Sequence, residues 1–176
     1  MSRYNANGIS RADIALSQWT EQRPDLDARV MTIFGRLIES SESVHKLHLM
    51  PLYKEFDLQR GEFDVLATLR RSGPPYALAP GELQQSMMIS SGGLTNRVDR
   101  LVKASLVERH RSAEDRRGVI VKLTQAGLEK IDEMLTIHVS RQSKMLSDLT
   151  SDDCMQLDQL LSKLVNSIDR SLSRAE

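Results

Sequence analysis

The chain has 176 residues, with 24 Lys and Arg balanced by 24 Asp and Glu; this neutrality excludes a polyelectrolyte but allows a local basic face. The length suits one domain with extensions, burying roughly 70% of its unfolded surface. A single cysteine, Cys154, excludes an internal disulfide and a cysteine-built zinc site, and with no apolar run for a signal peptide or membrane span the expectation is a cytoplasmic protein.

Ser10 is the N-cap candidate of a short amphipathic helix over Ile9 to Arg23, with Ala12, Ile14, Ala15, Leu16 and Trp19 at its apolar positions. Pro24 turns Arg23 away from helical angles and ends it. By residue type alone, Trp19 reads as a hydrophobic plug. A long helix follows from an Asp25 or Asp27 cap. Val30, Ile33, Phe34, Leu37, Ile38, Val44 and Leu47 make its apolar stripe, and Pro51 is expected to bend or end it. His45 and His48 are three apart but lack a third ligand nearby, so they read as surface histidines rather than a metal site. Leu58 to Ser72 is the next helix, with Phe63, Leu66, Ala67 and Leu69 as its apolar residues and Gly73-Pro74-Pro75 as its stop. Asp64 is placed in its first turn, where the helix dipole by itself favours a carboxylate.

The stretch from Ala79 to Thr124 carries the functional pattern. Pro80 opens a short helix through Met87. Ser90-Ser91-Gly92-Gly93 leads into another, with Ser90 or Ser91 as its N-cap and Leu94, Val98, Leu101 and Val102 facing inward. Thr95, Asn96, Arg97, Asp99, Arg100 and Lys103 remain outside. Hydroxyls near a helix start reach phosphates and bases, and Arg and Asn read base edges. Leu106 to Arg109 and Gly118 to Leu123 are strand-like, rich in β-branched residues, and flank a charged tip over residues 112–117. From Arg97 to Arg117 seven cations face four anions, a local surplus in a neutral chain. Arginines on such a projecting tip suit a narrow minor groove.

Thr124 caps a helix through Leu128, Ile131, Leu135 and His138 towards Leu146. Thr150 and Asp153 have capping-box-like spacing for a last helix. Its stripe is Leu157, Leu160, Leu161, Leu164, Val165, Ile168 and Leu172, more apolar surface than a small DNA-reading lobe can cover. The fold class is therefore mainly α with a small β-wing, a winged helix-turn-helix between N- and C-terminal dimerisation helices. Residues 1–25 form an extension helix and residues 26–58 a dimerisation helix. Residues 59–124 form the DNA-binding lobe, with the helix-turn-helix over 80–103 and the wing over 107–123, and residues 125–176 complete the dimer. The partners expected are double-stranded DNA and a second copy of the chain, in two-fold geometry, and no membrane.

This order of elements, with Asp115, Arg117, Leu123 and Thr124 in the wing pattern Asp-x-Arg followed by a strand ending Leu-Thr, resembles the MarR family of transcriptional regulators. The resemblance covers Ile33 to about Ser171. It implies a homodimer on a pseudo-palindromic operator, usually a repressor released by a small anionic effector, and no cofactor. It also implies that Asp115 braces Arg117 and that Arg116 or Arg117 reaches the minor groove. The resulting DNA-binding set is Ser90, Ser91, Thr95, Asn96, Arg97, Arg100, Asp115, Arg116 and Arg117. Ser105 departs from the family, which usually has glycine there.

Gln18-Trp19, Arg23 to Asp27, Phe63 to Arg71 and Gly73 to Tyr76 resemble more narrowly the PecS-type, urate-responsive subgroup. That likeness implies a ligand set of Trp19, Asp64, Arg97 and Arg109, and it displaces the plug reading of Trp19. Urate is a planar monoanion that tryptophan can cover and arginines can pair. In the same reading Asp64 holds an arginine until the anion competes for it. Three alternatives stand beside it: a MarR-type regulator answering phenolic or other small anions, a redox sensor acting through Cys154, and a helical interaction module or enzyme outside DNA binding. For an enzyme, no triad order, phosphate loop or metal cluster is legible.

Overall fold

The computed structural model describes residues 10–87, 93–111 and 118–173, apart from the side chain of Leu172. The chain divides into two units, Met1–Asp64 and Val65–Glu176.

In the first unit, α1 (Arg11–Gln22) begins at Ser10, whose hydroxyl accepts the Asp13 N–H at 3.2 Å. Arg23 ends it, its N–H donating to the Trp19 carbonyl. Asp27 caps α2 (Ala28–Val44) by accepting the Arg29 N–H at 3.1 Å. An ion pair between Asp13 and Arg36 ties α1 to α2. Pro51 neither bends nor ends the long helix in the expected way. The chain passes through a π turn (His45–Leu49) into α3 (Met50–Glu55), and the Met50 N–H donates five residues back to the His45 carbonyl. The hydrogen-bond register has therefore already slipped where Pro51 brings its missing N–H. The same turn overturns the surface reading of the histidines, because His48 is buried and His45 is half-buried.

The apolar stripe of α2, on the helix expected to dimerise, is largely bare in the single chain. Val30, Ile33, Phe34, Leu37, Ile38 and Leu47 are all exposed. Residues of α3 and of the loop after it, Leu52, Tyr53, Phe56 and Leu58, are buried instead.

The helix α4 (Arg60–Arg71) crosses from the first unit to the second and presents Val65, Leu66 and Leu69 to the core. Gly73, at φ +79°, lies just beyond its end. In the second unit, the two-residue strand β1 (Ala77–Leu78) precedes α5 (Pro80–Ser86). Glu82 accepts the Ala79 N–H at 2.9 Å, half of a capping box, since alanine has no side-chain oxygen to complete it. After α6 (Leu94–Lys103) come β2 (Val107–Arg111) and β3 (Val119–Leu123), antiparallel, with Arg109 opposite Val121. The strand β1 pairs antiparallel with the other edge of β3, so the sheet order is β1-β3-β2. The sequence offered no sign of β1, because two residues are too few for an alternating pattern.

Thr124 joins the sheet to α7 (Gln125–Met145). Its hydroxyl accepts the Gly127 N–H at 2.9 Å and donates to the Ser105 carbonyl at 2.8 Å. The buried line of α7 is Gly127, Ile131 and Met134. Leu128, Leu135 and His138 are half-buried. The last helix, α8 (Ser151–Leu172), starts with a full capping box. The Thr150 N–H donates to Asp153 Oδ2 at 2.9 Å, and the Asp153 N–H donates to Thr150 Oγ1 at 3.1 Å. None of its described side chains is buried.

Candidate functional site

The reading helix is α6. Its cap is Gly93 at φ +77°, rather than Ser90 or Ser91. Leu94, Val98 and Leu101, at helical spacing, are buried. Val102, expected with them, is 36% exposed, because three positions over two turns already fill the packed face. Thr95, Asn96 and Arg100 are exposed, and Arg97 is half-buried at the edge of that surface. Asn96 and Arg100, one helical turn apart, stand side by side and offer an amide and a guanidinium in one direction. Such groups form bidentate pairs with adenine and guanine edges. Ser90, Ser91, Asp115, Arg116 and Arg117 lie outside the described residues.

The wing is tethered to this helix. Arg109 on β2 reaches Asp99 on α6 at 2.7 Å. Both side chains are about two-fifths exposed, so the bond contributes little to stability, at most about 1 kcal/mol. It joins the reading helix to the wing strand directly. Asp99 was read from the sequence only as part of a polar face, since nothing at that spacing tells which strand residue it will meet. Behind the helix, Ser105 takes φ +58° and turns the chain into Leu106. A side chain in that left-handed conformation costs about 1 kcal/mol relative to the usual glycine.

The four residues of the expected ligand set fall in both units. Trp19 and Asp64 belong to the first, and Arg97 and Arg109 to the second. Trp19 is 42% exposed on α1 and is no plug. Asp64 is not in the first turn of α4. The helix starts at Arg60, and the acidic residue of that turn is Glu62, whose carboxylate accepts the Gln59 N–H at 2.6 Å. Asp64 is one turn further in and only 8% exposed, where the dipole argument no longer accounts for it. Burying a carboxylate is unfavourable enough to call for a specific role. Nearby, the ring of Tyr53 packs on Phe63 at 5.6 Å between centroids. Burial raises the Tyr53 hydroxyl pKa, the positive charge of Arg60 opposes the shift and the negative charge of Asp64 adds to it.

Cys154 is half-buried in the first turn of α8, and the chain has no second cysteine to pair with it. Among the described residues, no three His, Cys, Asp or Glu gather to hold a metal ion. No described helix is long and apolar enough to cross a membrane.

Residues 56–118 match the model described as MarR family. The chain is 35% identical over 164 residues to the HTH-type transcriptional regulator PecS of Dickeya dadantii (strain 3937), covering 93% of this chain and 95% of that one. Among solved structures it resembles a mutant of MarR from E. coli complexed with operator DNA. The TM-score is 0.63 at 28% identity, over 83% of this chain and 96% of that one. It also resembles NadR in complex with 4-hydroxyphenylacetate, with a TM-score of 0.59 at 25% identity, over 75% of this chain and 91% of that one.

Proposed function

The chain belongs to the MarR family as a PecS-type, DNA-binding transcriptional regulator and not an enzyme, and from that premise we propose that it is a cytoplasmic homodimeric repressor released from a pseudo-palindromic operator by urate or a related purine anion. The observation that carries the release mechanism is the Arg109–Asp99 ion pair between wing strand and reading helix. An anion that captures Arg109 competes with Asp99 and frees the helix from its tether. Arg97, on the helix itself, takes the other side of the anion's charge. Trp19 supplies an exposed aromatic face, and Asp64 is the carboxylate that holds an arginine in the DNA-binding arrangement. Ligand and operator are then linked by a coupling of about 1–3 kcal/mol.

Trp19→Phe is expected to keep operator affinity but to need about tenfold more urate for release, the equivalent of about 1.4 kcal/mol. A gel-shift titration decides it, and equal urate sensitivity in variant and wild type would remove this site. The likeness to NadR with its bound 4-hydroxyphenylacetate supports a second reading, in which the effector is a phenolic anion. Trp19 is the only tryptophan, so quenching of its fluorescence across a panel of purines and phenolates separates the two.

On DNA, each α6 serves one half-site, with half-sites about 10 base pairs apart. Arg116 or Arg117 enters the minor groove, Asp115 braces Arg117, and Ser90 and Ser91 meet phosphates. Arg116→Ala and Arg117→Ala are each expected to lower affinity, and at least one should reduce the salt slope by about one. An unchanged slope in both would take the wing out of the interface.

A further inference from the structure

The last turn of α4 carries two adjacent arginines, Arg70 and Arg71, that belong to neither the effector set nor the DNA-contacting set. They engage different partners. Arg70 Nε donates to Asp132 Oδ1 on α7 at 2.6 Å, and its guanidinium lies over the Tyr76 ring, 5.1 Å from the centroid. Tyr76, at φ +59°, accepts the Leu123 N–H at 3.0 Å through its carbonyl. Arg70 thus fastens the end of α4 to α7 and to the segment that leads into the sheet. Arg71 turns instead to α5. Its guanidinium donates to the Ser86 carbonyl and lies 3.4 Å from the hydroxyl of buried Thr68, one turn back on α4.

Ser86 is the last residue of α5. The final carbonyls of a helix have no partner within it and carry the negative end of its dipole, so a guanidinium suits them. This helix has little else to hold it. It has seven residues and one buried side chain, Leu83, and so short a helix is not stable by itself. From Ser86 the chain leads on to Gly93 and the reading helix. We propose that Arg71 is a positioning residue for operator recognition: it fixes the end of α5 ahead of α6, from an α4 that Arg70 anchors to α7. The proposal rests on α6 as the reading helix and is independent of the effector. Arg71 acts through the backbone of α5. Direct contact with a DNA phosphate is the competing role for an exposed arginine, and the two roles weaken different things. A displaced reading helix loses its base pairing geometry, whereas a lost phosphate contact weakens binding to any sequence.

The full chain is titrated by fluorescence anisotropy onto a duplex that the wild type selects from random DNA, and onto a scrambled duplex of the same length. Arg71→Met keeps an unbranched stem but removes donors and charge, and because Arg71 is exposed the core is untouched. It is expected to lose about tenfold or more on the selected duplex and less than about threefold on the scrambled one. Its salt slope should stay within about half a unit of wild type. Arg71→Lys returns a donor for the Ser86 carbonyl and should recover affinity for the selected duplex to within about threefold. Equal losses on both duplexes, with a slope lower by about one, would make Arg71 a phosphate contact and overturn the proposal. An unaffected Arg71→Met would overturn it too. So would a fall in Tm of more than about 4 °C that Arg71→Lys does not mend, since the residue would then serve stability alone. Asn96→Ala tests the reading helix separately: if it keeps the preference for the selected duplex, the assignment of α6 fails whatever Arg71 does.

Discussion

Changing Leu160 and Val165 together to glutamate is expected to turn a dimer into a monomer and to weaken operator binding by about 100-fold or more. The two side chains are 63% and 57% exposed on α8, alongside exposed Leu157, Leu161 and Ile168. In proteins most helix stability comes from packing an apolar face, and each large side chain covered contributes about 1.5–3 kcal/mol. Since neither residue is buried within the protomer, glutamate does not disturb the fold of a single chain. It puts charge where, in the proposed homodimer, an apolar surface meets its two-fold copy. The loss on DNA follows from linkage: two joined reading helices gain about 100- to 10,000-fold over one by effective concentration. Sedimentation velocity and a gel shift on the full operator measure both effects. A double variant with the mass and affinity of wild type would show that α8 is not the dimer surface.

Gly127→Ala is expected to destabilise the protein by about 3 kcal/mol, a large effect for one added methyl. A Cβ at Gly127 would lie 1.9 Å from the Leu106 carbonyl oxygen and 2.9 Å from its carbon. Both atoms are backbone, so no rotamer change relieves the overlap. That carbonyl is also the acceptor of the Thr124 N–H at 3.1 Å, and Leu106 follows directly on the left-handed Ser105 behind the reading helix. Making room therefore moves the junction of α6, β2 and α7 as a unit. In a chain of this size each kcal/mol shifts Tm by about 2–4 °C, so a fall of about 6–12 °C is expected in thermal denaturation. A change within about 1 °C would mean that the α7 start yields without cost.

The elements that were legible in the residues share a physical origin. Ser10, Asp27, Thr124 and Thr150 cap helices because a short oxygen-bearing side chain next to an apolar period can satisfy only nearby N–H groups. The buried line Leu94, Val98 and Leu101 follows from a helical period of 3.6. Where the reading failed, a helix boundary or a side chain's burial departed from what residue type suggests. Ser90 and Ser91 are as good as any caps by type, but the helix begins at Gly93. Asp64 is the fifth residue of α4, one turn in from its start, and its burial comes from what packs around it and not from its place along the helix.

Local chemistry in the sequence determined the helices, their caps, the basic reading face and the wing strands, together with an apolar surplus too large for one chain to cover. The wing motif and the likeness around Trp19 and Asp64 pointed to the family. Only the tertiary structure decided that Asp99 is the partner of Arg109, that Gly127 must lack a side chain, and that the hydrogen-bond register slips through a π turn ahead of Pro51. Those three depend on atoms brought together from separate elements or on a register slip within one. Hydrophobic period and capping act over one or two turns and do not encode which distant group a side chain will meet.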